Sequence, residues 1–377
     1  GSPLPRHAEG RARALPGSPL PRYGGEGRER GAVTAMTVRR IATVVALGVL
    51  ATAAALALSC AVGAQPVSIA RALAGADPDR TILLRLRLPR AVMGAVVGCG
   101  LAAAGTALQA LLRNPLAEPF VLGVSGGAAL GGTVVLLAAT LAAQLLGPAG
   151  AALASAPPVA IGAVAGAAAA TLLVFALGRV AGRLVPEAAL LVGVVFNAFA
   201  AAIITLLKVM VPPEHAARLL YWLMGSIGYE SDLTLLVGAI CIGAAVVALV
   251  LLSAALNLLA LGEDEAATLG VHVGRARGAV LLATSVATGA AVALSGMVGF
   301  VGLIVPHALR RIVGPDHRLL VVASALFGAA FLVATDALAR VAFLPLGTEP
   351  PVGAVTAFLG GPLFLWLLRR SDRTVDG

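Results

Sequence analysis

Residues 233–257 read LTLLVGAICIGAAVVALVLLSAALN, an uninterrupted run without a charged side chain. A helix of about twenty apolar residues, rising roughly 1.5 Å per residue, crosses the ~30 Å hydrocarbon core of a bilayer, so this run predicts a membrane-spanning helix. Eight more stretches of the same kind occur at 41–61, 91–112, 119–142, 157–178, 188–211, 278–297, 319–339 and 352–368. A tenth, at 299–313, is short and broken by glycine and Pro306, which predicts a discontinuous or partly buried helix. The 377 residues are 59% hydrophobic and 12% charged, and a water-soluble domain of that make-up would expose large apolar patches. The fold class expected is an all-α polytopic membrane protein with about ten transmembrane helices.

The formal charge of +9 does not point to nucleic acid, because the arginines form no single basic face interleaved with aromatics. They cluster at span ends. If the first span leaves the cytoplasm, the inner side holds Arg39, Arg40, Arg113, Arg179, Arg183, Arg275, Arg277, Arg310, Arg311, Arg318, Arg369, Arg370 and Arg373, together with the arginines of the N-terminal tail. Positive-inside bias then puts both termini in the cytoplasm, consistent with an even number of spans.

Residues 1–35 differ from everything after them. They are rich in Gly, Pro and Arg, and Gly-Ser-Pro-Leu-Pro-Arg at 1–6 returns at 17–22. This tail reads either as non-native sequence ahead of Met36 or as a disordered basic segment, leaving 36–377 as the permeating domain. Cys60, Cys99 and Cys241 all fall inside apolar spans without metal-ligand spacing, and the five histidines form no cluster. No metal site built by this chain is expected. Small-residue runs at 123–129 and 162–170 suit close helix packing in lipid.

Between the sixth and seventh spans lies Leu261-Gly262-Glu263-Asp264-Glu265-Ala266-Ala267-Thr268-Leu269-Gly270, within a connecting region at 258–275. Three acids open a short helix bounded by glycines, where they complement the positive end of the helix dipole. The segment reads either as a docking element for a partner's groove or as a solvated loop helix. The chain's single lysine, Lys208, lies inside a span, so no phosphate-binding loop ending in Lys-Ser/Thr is present. Apart from Gln109, Asn197, Lys208 and Asp336 the spans offer few groups for ion coupling. Energy is therefore expected from another subunit.

The stretches Arg87-Leu88-Pro89-Arg90, Asn114-Pro115-Leu116-Ala117-Glu118-Pro119, Gly123 to Gly127, Trp222 to Ser226, Leu261 to Gly270, Gly299 to His307, Gly314-Pro315-Asp316-His317-Arg318 and Pro351 to Thr356 occur in that order. In these the chain resembles the permease subunits of type II ATP-binding-cassette importers, the BtuC/FecCD family, which serves vitamin B12, haem and ferric siderophores. The likeness implies a ten-helix subunit acting as a homodimer in a bacterial inner membrane, two cytoplasmic ATPase subunits and a periplasmic binding protein. It also implies that this chain is no enzyme and holds no cofactor, with ATP and magnesium in the partner subunit. A weak likeness between Arg90-Ala91-Val92 and Arg277-Gly278-Ala279-Val280 fits an inverted repeat.

By the same resemblance Gly262, Glu263, Asp264, Glu265, Ala266, Ala267, Thr268, Leu269 and Gly270 form the coupling helix seated in the ATPase. Arg87, Arg90 and Arg340 match the family's binding-protein docking residues, a task suited to the bidentate guanidinium. Arg340 also stands four residues after Asp336, a spacing at which the two can neutralise each other. Asn114 and Leu116, with Pro186 and Glu187 of the loop between the fourth and fifth spans, fall at the cytoplasmic gate. Asn114 equally fits a local cap beside a proline turn, and Pro186-Glu187 departs from the small hydroxyl residues of relatives. Haem is the expected cargo, with a ferric siderophore or cobalamin as the alternatives, and Arg218, Tyr221 and Trp222 at the outer end of the fifth helix offer a propionate partner and aromatic faces. The same trio fits an interfacial anchor. A secondary carrier and an intramembrane enzyme are the competing classes, and the enzyme lacks a second carboxylate at the depth of Asp336.

Overall fold

The computed structural model describes residues 38–372 apart from 64, 148–155, 181–182, 211–212, 229–230, 343–346 and 348, so the basic tail at 1–35 lies outside the described residues. Ten principal helices follow in chain order: α1 (Val38–Ala61), α2 (Leu88–Leu111), α3 (Val124–Leu146), α4 (Ala156–Leu177), α5 (Pro186–Val209), α6 (Asp232–Leu251), α7 (Val273–Ser295), α8 (Val301–Val313), α9 (His317–Ala342) and α10 (Val352–Asp372). Eight are long and apolar enough to cross a membrane, and α10 adds the shorter apolar stretch Val352–Phe364. The short α8 begins after Phe300, whose left-handed backbone (φ 68°) starts the helix abruptly, and it carries Pro306 inside. It thus corresponds to the broken tenth span read in the sequence.

Several boundaries differ from the sequence reading for identifiable reasons. The run at 233–257 is not one span: α6 ends at Leu251, Leu252 turns, and Ser253–Leu259 forms a separate short helix. The Ser253 hydroxyl donates to the Val250 carbonyl at 2.6 Å, bonding inside the turn. Apolar content does not register such a break. The helix of the second span runs further out than residue 91, because Asp79–Thr81 and a π-helical turn at Ile82–Arg87 continue into α2 as one 33-residue unit. The third begins later, at Val124, since residues 119–123 are turns. Arg179–Val180 and Arg183–Leu184 pair as a minimal antiparallel ladder between α4 and α5. On the chain's other connections, Ile69–Leu73 and Pro213–Leu223 add short helices.

The centre of the bundle is α2, α7 and α9. Their apolar stretches are 78%, 72% and 72% buried, against 11% for α1 and 17% for α5, which leaves α1 and α5 at the periphery. Lipid supplies little drive for apolar association between helices, so tight packing depends on close backbone approach. Along α2 and its neighbours this occurs at glycines. A Cβ on Gly98 would lie 2.2 Å from the Gly328 carbonyl of α9, and one on Gly105 would lie 2.0 Å from that of Gly302 in α8. The small-residue runs of α3 and α4 interlock in the same way, with Gly131 set against Gly162 and Gly127 against Gly166.

Adding a methyl group at these crossings forces the helices apart, at an expected cost of about 1–3 kcal/mol. Gly98→Ala is therefore expected to lower the melting temperature of the detergent-solubilised chain. Gly278→Ala, at an α7 position with nothing within 4 Å of the added carbon, is expected to be neutral or stabilising. Thermal unfolding of both variants, followed by circular dichroism, checks the contrast.

Candidate functional site

At one end of the bundle the three arginines expected from the sequence to act in docking come together. Arg87, Arg90 and Arg340 line one cleft of about 450 Å³ with Glu349, Gln65 and Gly228. Their local roles differ. Arg87 is 6% exposed and donates to the Cys60 carbonyl (2.8 Å), the Ala61 carbonyl (3.1 Å) and the Gln65 carbonyl, closing the C-terminus of α1. Arg340 is 5% exposed and donates to the carbonyls of Val62 (3.1 Å) and Ser59 (3.2 Å). Two guanidinium groups thus sit on the negative end of the α1 dipole.

Asp336 is 2% exposed and holds two of the arginines: Arg90 at 2.9 Å and Arg340 at 3.1 Å. The four-residue pairing of Asp336 with Arg340, open as an alternative in the sequence, is therefore formed. Arg90 bridges onward to Glu349 at 2.8 Å, and its side chain remains 22% exposed. Arg90 is at the rim, while Arg87 and Arg340 form the floor.

At the opposite end of α2, the loop 112–123 turns back against α8 and α5. Asn114 accepts at Oδ1 from the Leu116 N–H at 2.9 Å, closing a turn around Pro115 inside the loop, in place of the helix cap weighed in the sequence reading. Asn197 of α5 donates to the Phe120 carbonyl at 2.7 Å, and a Cβ on Gly193 would lie 2.7 Å from the Val121 carbonyl. Loop and α5 are thus joined at two points. Pro186 and Glu187 occupy the first turn of α5, where proline's missing N–H is tolerated and an acid suits the dipole.

Glu118, quoted in the sequence only as part of a motif, is the buried ionisable group of this loop. Complete burial pushes its carboxyl up from 4.5 to about 8, opposed in part by a hydrogen bond from the Phe300 backbone. No spacing in the sequence marks that burial, which arises from α8 folding over the loop.

The segment Gly262–Gly270 is a helix, Glu263–Thr268, whose ends are built for it. Gly262 has φ 150°, and a Cβ there would collide with the Glu265 carboxylate. At the far end Val271 N–H bonds to the Ala266 carbonyl and Gly270 N–H to that of Ala267, a Schellman closure with left-handed Gly270 (φ 87°). Ala266 is buried against the bundle, whereas Asp264, Glu265, Ala267, Thr268 and Leu269 face outward. Glu263 is fixed by Arg277 of α7 at 2.9 Å.

The aromatic pair separates. Arg218, Tyr221 and Trp222 lie on the short helix Pro213–Leu223 and not on the end of α5. Tyr221 is exposed, but the partly buried Trp222 ring packs against Gly132 of α3 and the edge of the core. The Arg218 side chain is outside the described residues.

The description of the FecCD transport family matches residues 49–370. The chain belongs to the FecCD transport family. Among its relatives, the hemin transport system permease protein HmuU of Yersinia pestis is 42% identical over 297 residues, covering 78% of this chain and 85% of that protein. The cobalamin import system permease protein BtuC of Halobacterium salinarum is 39% identical over 302 residues, covering 79% and 76%. A metal-chelate type ABC transporter solved in an inward-facing conformation superposes with a TM-score of 0.73 at 28% identity, covering 87% of this chain and 99% of that one. This FecCD-family chain is accordingly a membrane-embedded permease subunit of an ABC importer, with ATP hydrolysis in a separate subunit.

Glu118 gives the permease a pH signature. Its folded value lies above its ordinary one, so its contribution favours the folded chain fully below pH 4.5 and is lost as pH rises towards 8. Glu118→Gln, which keeps an acceptor for the Phe300 N–H without the charge, is expected to shrink the fall in melting temperature between pH 5 and pH 8.5. Parallel profiles for variant and wild type would contradict this.

Proposed function

We propose that this permease carries haem across a bacterial inner membrane, from periplasm to cytoplasm, by alternating access. The observation carrying the haem reading is the 42% identity to a hemin permease over 78% of the chain. Tyr221 is exposed and offers an aromatic face to a porphyrin, and Arg218, three residues earlier in the sequence, is the candidate partner of a propionate. Cobalamin is the second reading, favoured by the 39% and 40% identity to cobalamin permeases of Halobacterium salinarum and Vibrio cholerae.

In this reading two copies of the chain form the translocating unit around a central path. The second copy is assigned to the exposed apolar residues Leu191, Val195 and Phe199 of α5 and Phe358 of α10. The outward-facing residues of Gly262–Gly270 enter a groove of the ATPase, and Arg277 carries the resulting push into α7 through Glu263. Acidic side chains of a periplasmic binding protein meet the cleft at Arg90, above the floor formed by Arg87 and Arg340. Asn114, Leu116, Pro186 and Glu187 close the cytoplasmic end, and the Asn197–Phe120 bond makes the loop follow α5. Both termini are cytoplasmic, and residues 36–377 act as one domain. Mostly apolar walls let a bulky chelate leave once released.

Proteoliposomes holding the permease with its ATPase and binding protein test the reading. ATP-dependent uptake of haem is expected to exceed that of cobalamin and of a ferric siderophore at least tenfold. Preference for cobalamin would replace the cargo and keep the mechanism. Uptake without ATP would overturn the importer role.

A further inference from the structure

The short helix Ser253–Leu259 leads through Ala260–Leu261 directly into the coupling segment, and it is anchored at one polar point. Asn257 accepts at Oδ1 from the His317 backbone N–H at 2.8 Å and from the His317 ring Nδ1 at 2.8 Å. Its Nδ2 donates to Asp316 Oδ1 at 2.7 Å, which fixes the amide's orientation because a carboxylate only accepts. The Nδ1 proton of His317 then points at Asn257.

Asp316 in turn starts α9: its carbonyl accepts from Leu320 N–H at 2.9 Å, and Oδ1 accepts from Arg318 N–H at 2.9 Å. Asn257 therefore grips the first turn of α9 through two consecutive residues. Around this point Leu256 and Leu259 of the short helix, Ala266 of the coupling helix and Val321 and Ala325 of α9 share one apolar cluster.

From that first turn α9 runs to Ala342 without a proline. At its other end Asp336 holds Arg90 and Arg340 in the cleft, roughly 28 Å along the axis from His317 at about 1.5 Å per residue. The Gly98–Gly328 crossing keys the middle of the helix to α2. One helix thus has a polar clamp on the coupling arm at one end and an ion-pair clamp in the arginine cleft at the other.

We propose that α9 is the strut by which the coupling segment and the arginine cleft sense each other across the membrane, with Asn257 as the positioning residue that joins the arm to it. A movement of the coupling helix displaces the arm, the arm carries the first turn of α9, and Asp336 carries Arg90 and Arg340. Coupling of this kind is reciprocal, so nucleotide in the ATPase must alter binding-protein affinity as much as the binding protein alters nucleotide affinity. The proposal rests on the coupling role of Gly262–Gly270 and goes beyond it by naming the route.

The test measures binding-protein affinity for the reconstituted complex with ADP and with a non-hydrolysable ATP analogue. Wild type is expected to show a nucleotide-dependent shift of about fivefold or more. Asn257→Ala is expected to reduce the shift below about twofold while the complex still binds the protein. His317→Ala, which removes one of the three hydrogen bonds of Asn257, is expected to fall between them and carries the test if Asn257→Ala does not assemble. A wild-type shift preserved in the variant that assembles would overturn the strut and leave the importer reading intact. A wild-type complex with no ATP-dependent uptake and no shift would remove the importer reading and the strut with it.

Discussion

Asp336 is a carboxylate taken out of water at a place where three helices end or begin, and the architecture at that end of the bundle depends on it. Alone, such a buried charge would cost several kcal/mol. Arg90 from α2 and Arg340 from α9 offset that cost by direct pairing, and Arg340 and Arg87 then carry their remaining donors to the open carbonyls of α1. Removing the carboxylate would leave two guanidinium groups against each other with less countercharge. The pairing sets how α1, α2 and α9 align at their ends, and it turns a charge buried for structural reasons into the floor of a surface cleft.

Within the bundle the constraint is steric. Helices in lipid gain little by hiding apolar surface from one another, so the centre must be held by packing and by close backbones. Glycines on α2 meet α9 at one level and α8 at another, which lets a helix of ordinary diameter sit among several neighbours. The short α8 fits because its N-terminus starts inside the bundle at Phe300, over the re-entering loop that carries Glu118.

Much of this was legible in the sequence. Long apolar runs identified nine of the helices, Pro306 and the glycines identified the broken one, and the ordered motifs identified the family. The arginine cleft was foreseen as three residues with one task, but the division of labour among them was not. Arg87 and Arg340 cap α1 because Ser59–Val62 happens to reach them, a fact of tertiary packing with no local signal. The end of α6 at Leu251 was hidden because residues 253–257 are as apolar as those before them. Trp222 was read as an aromatic face or an interfacial anchor, yet its partly buried ring lies against Gly132 on a distant helix. Asn257 carried no motif at all, and His317 stood in a quoted motif with no task, since their bond joins residues 60 apart in the chain.

The central claim is that force enters this permease at Gly262–Gly270 from a separate ATPase. A photo-activated cross-linker at Leu269, which faces outward at the end of that helix, tests it most directly in the assembled complex. The account predicts an adduct between the permease and the ATPase from Leu269, and none from Leu73, an exposed position in the chain before α2. Adducts to the ATPase from Leu73, or to lipid alone from Leu269, would contradict it.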